Sequence, residues 1–536
     1  MEFKYLENIN HIFEFKEARK NVQKAQDKLL LSIIRKNENT AYGTKHDFKN
    51  IKTIKDYQKK VPIITYDDIE PYVEMLKNGA QNILTKDKVI YFATTSGTTK
   101  KAKLIPITKQ RTILFRKELS LWSFKFLRTY PKVLQGKLLY FAGPYDEGRT
   151  NAGIMYGSIS GYLAHKTPFF AKRKLAIPPK LYNEMNFDEK MKKFAKIAIK
   201  TNITQIGFAF PVEVLMFFDY IEKNKQELIQ EIKKDGRWLK AKILSKKEFT
   251  PLKLWPNLTV INCIKSAQNK PYIDALQKRV PGVTINDPGI YSSEGRISLC
   301  LKPGAEAGIL PVTLNFFEFR DVETNKIVLA KNLKKGKKYE VIITTPEGLY
   351  RYEMNDVIEV VDFKDTIPLI KFYERANYLN IAGELAHEKV LIETMEETQK
   401  ELNTKLRGYT FMPYISSEKE KPRYNIMIEP EQNMDDAKAK KFLQTLEKNL
   451  QKNIQDYRQM RNEFGRIQKP ILSILKKGQY DSFDKKRMSK GGQQKPIIIA
   501  KDAEFIKKFQ TQKQIKGWKK WTITSPSPMK NQDKNS

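Results

Sequence analysis

The chain has 536 residues, of which 98 are basic and 61 acidic, giving a net charge of +37, and 40% are hydrophobic. That length exceeds one ordinary core and requires two or more domains, while the hydrophobic fraction excludes a disordered or fibrous chain. The positive field attracts polyanions, but the excess is mostly lysine spread from Lys16 to Lys534, with no arginine stripe and no nucleic-acid module, so no specific nucleic-acid partner is expected.

Residues 1–20 alternate charges with aromatics and lack the apolar core of a secretory signal. No segment approaches the ~20 apolar residues that span a bilayer, so a soluble, cytoplasmic protein is expected. Residues 18–36 space their apolar side chains as an amphipathic helix. A loop, NENTAYGTKHDF, follows, and then a short segment with a proline, VPIITYDDIEPYV. The stretch KVIYFATTSGTTKKAKLIPIT begins as an apolar strand and breaks into small hydroxyl residues. Residues 190–234 read as largely helical, interrupted at Pro211. Beyond Pro251, LTVINCI, VTINDPG, YEVIITT, VIEVV and LIKFYE are short β-branched runs between turns, which together with the helices predict an α/β or α+β architecture. The two cysteines, Cys263 and Cys300, have no CxxC spacing and no nearby histidine, which excludes a disulfide framework or a cysteine zinc site and fits a reducing compartment. Composition shifts again near Arg375–Glu384. Beyond that point Phe442, Leu446, Leu450, Ile454, Tyr457 and Met460 form one helical stripe, read as a packing face.

Four constellations carry candidate chemistry. Thr94–Thr99, with Gly97 among the hydroxyls and Lys101 and Lys103 just beyond, offers N–H and O–H donors and positive charge to a triphosphate; the same composition also makes a solvated turn. In Tyr291-Ser292-Ser293-Glu294-Gly295, the carboxylate could hold Mg²⁺ while phosphate oxygens fill other positions, or the segment is simply a loop or helix cap. Asp356, ending GLYRYEMND between two strands, could accept both hydroxyls of a ribose or be an ordinary turn aspartate. Lys495, in GGQQKPIII, stands on a glycine loop that leads into a strand and could meet a phosphate if the loop closes. Arg111 and Arg116 could meet a carboxylate, but read more simply as surface charges on a helix.

The order of these blocks resembles the auxin-responsive Gretchen Hagen family of acyl acid amido synthetases, within the adenylate-forming superfamily of acyl-CoA synthetases and firefly luciferase. The likeness runs from about Leu30 to about Ala500, through TSGTTKKAKLIPIT, SSEG, TTPEGLYRYEMNDVIEVVDF, FYERANYLNIAGELAHE, NIQDYRQMR and GQQKPI. It implies a large N-terminal adenylate-forming domain with mixed sheets (1–378) and a small mobile α+β C-terminal domain (379–510); the composition of the last residues, with SPSP and KNQDKNS, predicts a disordered tail (511–536). By that likeness Thr95, Ser96, Gly97, Thr98 and Thr99 form the phosphate loop, with Lys101 and Lys103 adding charge. Ser293 touches the α-phosphate, Glu294 holds Mg²⁺, Asp356 binds the ribose, Arg375 stands near the nucleotide before the hinge, and Lys495 arrives from the small domain for adenylation. Four positions depart from the family pattern: Lys100 and Asn355 stand where glycine is usual, Leu385 where lysine is usual, and Ile290 where an aromatic stacks on adenine, leaving Tyr291 one residue late.

The activity so implied is ATP-dependent formation of an acyl-adenylate from a small carboxylic acid, followed by transfer to an amino acid or other amine, by a protein expected to be a monomer. An acyl-CoA or carrier-protein ligase shares the first half-reaction. A basic binding protein on a synthetase-like fold is the alternative of another class.

Overall fold

The computed structural model describes residues 2–95, 103–184, 186–207, 211–246, 250–265, 270–302, 304–375, 378–414, 420–480, 482–483 and 497–515. The chain divides into two compact units, Met1–Asn377 and Tyr378–Ser536. It is mixed α/β, and each unit has its own apolar core.

The helical periodicity over 18–36 resolves into two helices, Glu2–Lys20 and Val22–Lys36. Asn21 breaks them: its backbone is extended, and its side chain accepts the Lys24 N–H to cap the second helix. The NENTAYGTKHDF segment is not wholly a loop, since Thr40 caps a short helix, Ala41–Lys45. Thr53 and Asp56 form a reciprocal capping box at helix Ile54–Lys60, a device contributing about 1 kcal/mol.

Three sheets organise the first unit. In one, the strand Val89–Thr95 pairs antiparallel with Lys103–Thr108 and parallel with Met155–Ser158. The second is wholly parallel, in the order Lys137–Tyr140, Ile203–Gly207, Val260–Asn262, Thr284–Asn286. Helices pack on it around Phe194, Phe217, Phe218 and Trp255, whose indole N–H donates to the Ala198 carbonyl at 2.9 Å. The third sheet has six antiparallel strands, including Lys338–Thr344, Tyr352–Lys364 and Ile367–Arg375.

The helical reading of 190–234 misses a strand. Ile203–Gly207 lies between helices Phe187–Ala198 and Pro211–Lys223. Its five residues are too few to show strand period, and its pairing partners, Lys137–Tyr140 and Val260–Asn262, are distant in sequence. Pro211 does not interrupt a helix but opens one, where its missing N–H goes unnoticed.

In the second unit, Leu406–Tyr414, Arg423–Pro430, Ile471–Leu475 and Thr511–Ile515 form one sheet, with helices Glu388–Glu401 and Asp436–Asn453 packed in the same core. Phe442, Leu446, Leu450, Ile454 and Tyr457 are buried there and Met460 packs against them, so the stripe is a packing face. A tail beginning at 511 is set too early, because Thr511–Ile515 pairs antiparallel with Ile471–Leu475 and buries Ile515. A run of four polar residues, Thr511 to Gln514, hides that strand: as an edge, it needs few apolar side chains. Residues 516–536 lie outside the described residues.

Candidate nucleotide site

The hydroxyl strand and the SSEG turn meet. Ser293 Oγ donates to the Thr94 carbonyl at 3.4 Å, across 199 residues of sequence. The turn is closed locally: the Ser292 N–H donates to the Gly295 carbonyl at 3.0 Å, and Gly295 N–H donates to Ser292 Oγ at 3.2 Å. Tyr291 and Arg296 bridge its two ends. Glu294 stands at the tip, partly exposed. Upstream, Gly289 has φ +92°, and a Cβ there would sit 2.3 Å from the Ser298 carbonyl, so only glycine brings the chain into this turn. Thr94 Oγ1 donates to Glu147 at 3.3 Å, and burial raises the Glu147 carboxyl above its ordinary range against that bond.

The GLYRYEMND segment is held by Arg351. Its guanidinium binds Glu318 through Nε at 2.8 Å and Nη2 at 3.0 Å, while Nη1 reaches the carbonyls of Gln58 and Val61 at 3.0 and 2.8 Å. The Ile64 N–H donates to the Arg351 carbonyl, and the Glu353 N–H donates back to Ile64. The VPIIT and LYRY blocks, nearly 300 residues apart in sequence, are thus one structural element. Gly348, at φ +107°, leaves room for the Leu84 backbone, which a Cβ would approach to 2.9 Å.

Asp356 lies within the strand Tyr352–Lys364 and not on a turn between strands, as its turn-like neighbours suggested. The turn ends at Arg351, and Asn355 bends the strand with φ +56°, the left-handed conformation that asparagine tolerates. Asp356 is 4% exposed and pairs in register with Arg375.

Beneath the SSEG turn lies a buried polar cluster. Arg111 is 1% exposed and so is not a surface helix charge. Its nearest carboxylate is Glu118 at 3.7 Å, and Arg296 reaches the same carboxylate at 3.3 Å. The guanidiniums of Arg111 and Arg296 stand 5.3 and 4.4 Å from the centre of the Tyr291 ring. Burial works against the charge on Arg111, but the Tyr291 hydroxyl, Glu118 and Glu347 outweigh it. Burial also raises the Glu347 carboxyl and the Tyr291 hydroxyl. No bond of normal hydrogen-bonding geometry joins the Arg111 nitrogens or the Tyr291 hydroxyl to a described residue. Arg111, Leu114, Glu118 and Leu121 share one buried stripe of the helix Lys109–Thr129, the sequence signal that could have revealed this cluster.

The structure therefore brings Thr94 to Ser293, and pairs Asp356 with Arg375. Gly295 packs closely on the central strand, since a Cβ there would lie 2.8 Å from the Ile343 side chain. Lys103 is opposite Thr95, with its ammonium 5.3 Å from the Tyr66 ring centre. Tyr291 has two guanidiniums near its ring. Ser96, Gly97, Thr98, Thr99, Lys101 and Lys495 lie outside the described residues. Among the described residues no three His, Cys, Asp or Glu side chains gather as a metal centre. A single partly exposed carboxylate, Glu294, beside hydroxyl and carbonyl oxygens fits Mg²⁺, which retains water and phosphate ligands. Both cysteines are free and buried. No helix among the described residues is long and apolar enough to cross a membrane.

Comparison with known proteins gives the same order of parts. The sequence matches the GH3 family N-terminal domain over residues 11–285, the central domain over 308–375 and the C-terminal domain over 389–504. It is 26% identical over 456 residues to indole-3-acetic acid-amido synthetase GH3.2 of Arabidopsis thaliana, covering 74% of this chain and 82% of that one. Against indole-3-acetic acid-amido synthetase GH3.8 of Oryza sativa subsp. indica it is 26% identical over 416 residues, 68% of each chain. Among solved structures, AtGH3.15 acyl acid amido synthetase in complex with 2,4-DB shares the fold with a TM-score of 0.64 at 21% identity, covering 95% of this chain and 97% of that one. 2-Hydroxyisobutyryl-CoA ligase, in its complex with 2-HIB-AMP and CoA, matches with a TM-score of 0.50 at 11% identity, over 92% and 93% of the two chains. Matched along its N-terminal, central and C-terminal domains, the chain belongs to the GH3 family.

Proposed function

We propose that the protein is an ATP-dependent acyl acid amido synthetase, which activates a small carboxylic acid as its adenylate and joins it to an amino acid. The observation that carries this reading is the meeting of Ser293 with the hydroxyl strand at Thr94, in a chain where all three GH3 domains follow in order.

A carboxylate is a poor acyl donor because oxide would have to leave. Attack of its oxygen on the α-phosphorus of ATP gives the acyl-adenylate and pyrophosphate. An amine nitrogen then attacks the acyl carbon, AMP departs and the nitrogen loses a proton. Thr95, Ser96, Gly97, Thr98 and Thr99 cradle the phosphates, with charge from Lys101 and Lys103, and Ser293 meets the α-phosphate. Asp356 accepts the ribose hydroxyls and Arg375 stands beside the nucleotide. Tyr291, with the guanidiniums of Arg111 and Arg296 near its ring, braces the turn that carries Glu294. Glu294 would hold Mg²⁺, which when bound would neutralise charge on the phosphates. Lys495, in the C-terminal domain, supplies the second positive charge. The protein works as a cytoplasmic monomer.

The test is a screen of carboxylic acids for ATP–pyrophosphate exchange, followed by amino acids with the active acids. Acid-dependent exchange and an amide of the expected mass support the reading. Exchange followed by a thioester with coenzyme A, and no amide, would reassign the acceptor. No exchange with any acid would refute adenylation.

A further inference from the structure

Four large apolar side chains of the first unit stand in solvent: Leu134 at 53%, Phe169 at 73%, Trp238 at 65% and Leu239 at 73% exposure. They come from three segments, PKVLQGK (131–137), PFFAKRK (168–174) and RWLKAKILSK (237–246), which contain several lysines and arginines and no acidic residue. In a chain that carries 61 acidic residues, their absence from all three is a local property.

The segments converge on one end of the parallel sheet, where the strands Lys137–Tyr140 and Ile203–Gly207 begin side by side. The Gln135 carbonyl accepts the Asn202 side-chain N–H at 3.2 Å. The Lys174 ammonium donates to the Leu134 carbonyl at 2.6 Å, and the Leu138 N–H donates to the Lys174 carbonyl at 2.8 Å. Lys240 donates to the carbonyls of Ile199 and Thr201, which lead into the second strand. On helix Trp238–Ser245, Ala241 and Leu244 face the core, so Leu239 and Lys242 are left on a free stripe. Ligands of open α/β sheets bind beyond the carboxyl ends of the strands, so this amino-end face is directed away from such a crevice.

We infer that this face is a peripheral docking surface for an anionic lipid bilayer. Tryptophan, phenylalanine and leucine side chains enter the boundary between headgroups and acyl chains, while the surrounding ammonium and guanidinium groups meet lipid phosphates and carboxylates. A second copy of this chain would bring like charge against like charge. A nucleic acid would use the basic groups but has no place for Leu134 and Leu239. The inference concerns a surface apart from the residues assigned to adenylation and does not depend on that assignment.

The experiment is co-sedimentation of the full-length protein with phosphatidylcholine vesicles, with and without about a third phosphatidylserine, across a salt series. Binding to the anionic vesicles should exceed binding to the neutral ones by about tenfold or more and fall as salt rises. Trp238→Ser with Leu239→Ser, and separately Lys242→Glu with Lys246→Glu, should each reduce binding by about fivefold or more, with ATP–pyrophosphate exchange and melting temperature unchanged. Failure of the wild-type protein to bind anionic vesicles overturns the inference, as does undiminished binding by both variants. It is also overturned if sedimentation velocity shows self-association that the Trp238 and Leu239 changes abolish, or if duplex DNA and not lipid loses binding in the lysine variant.

Discussion

Asp356 faces Arg375 across an antiparallel hairpin, nineteen residues apart in sequence and paired in register despite two bulges between their strands. The carboxylate is buried, and its strand is anchored upstream by the bidentate Arg351–Glu318 pair. If Asp356 accepts the ribose hydroxyls, Asp356→Ala should raise the KM for ATP by about 10–100-fold, the loss expected for hydrogen bonds to a charged group, with less effect on kcat. Exchange kinetics at varied ATP measure this, with a melting curve to verify folding. An unchanged KM would remove Asp356 from the nucleotide site.

The Arg111 cluster predicts a large stability effect from a residue on a helix. Arg111→Met leaves Glu118 and Glu347 short of positive charge in the interior and should cost about 3–5 kcal/mol in urea unfolding. Adding Glu118→Gln should recover part of that loss, because the two side chains act as a coupled pair. A cost below about 1 kcal/mol for the single change would mean that the charges are not coupled.

Lys495 precedes Pro496 and follows two glycines and a glutamine pair. Lys495→Ala should lower pyrophosphate exchange on the order of 100-fold, as removal of a preorganised charge does, while amide formation from a synthetic acyl-adenylate survives. Equal loss in both halves would make Lys495 a support for the fold.

Glu384 predicts a pH dependence of the C-terminal unit. It is fully buried, and burial pushes its carboxyl up to about 7, against hydrogen bonds donated by the Ile381 and Ala382 N–H groups at 2.8 Å and by the Tyr424 hydroxyl at 3.0 Å. The folded unit holds a proton that the unfolded chain, with a carboxyl near 4.5, releases. Stability from this group is therefore full below about pH 4.5 and is lost as pH rises through about 7. Glu384→Gln should flatten that slope, because the amide does not titrate. Thermal melts of both proteins between pH 5 and 8 read the difference, and parallel curves would contradict it.

Much of this molecule was legible in its sequence because local pattern and final environment agree. The β-branched runs YEVIITT and VIEVV became strands, and the stripe from Phe442 to Tyr457 became a core face. Asn355 in place of glycine keeps the left-handed backbone, as its side chain permits. What stayed hidden depends on distant partners. Nothing local shows that Arg351 will bind Glu318 and two carbonyls near residue 60, or that distant Arg296 and Glu347 will close on the stripe that carries Arg111. Ile203–Gly207 is a strand because Lys137–Tyr140 and Val260–Asn262 flank it, and Thr511–Ile515 is one because Ile471–Leu475 offers a free edge.

The central claim is that a carboxylate oxygen attacks the α-phosphorus of ATP before an amine takes the acyl group. An ¹⁸O-labelled carboxylic acid that supports exchange, incubated with ATP and the amino-acid acceptor, tests this directly by mass spectrometry of the products. The mechanism places one labelled oxygen in AMP for each amide formed, together with unlabelled pyrophosphate. Label in inorganic phosphate with formation of ADP, or amide formed with no label in AMP, would contradict it.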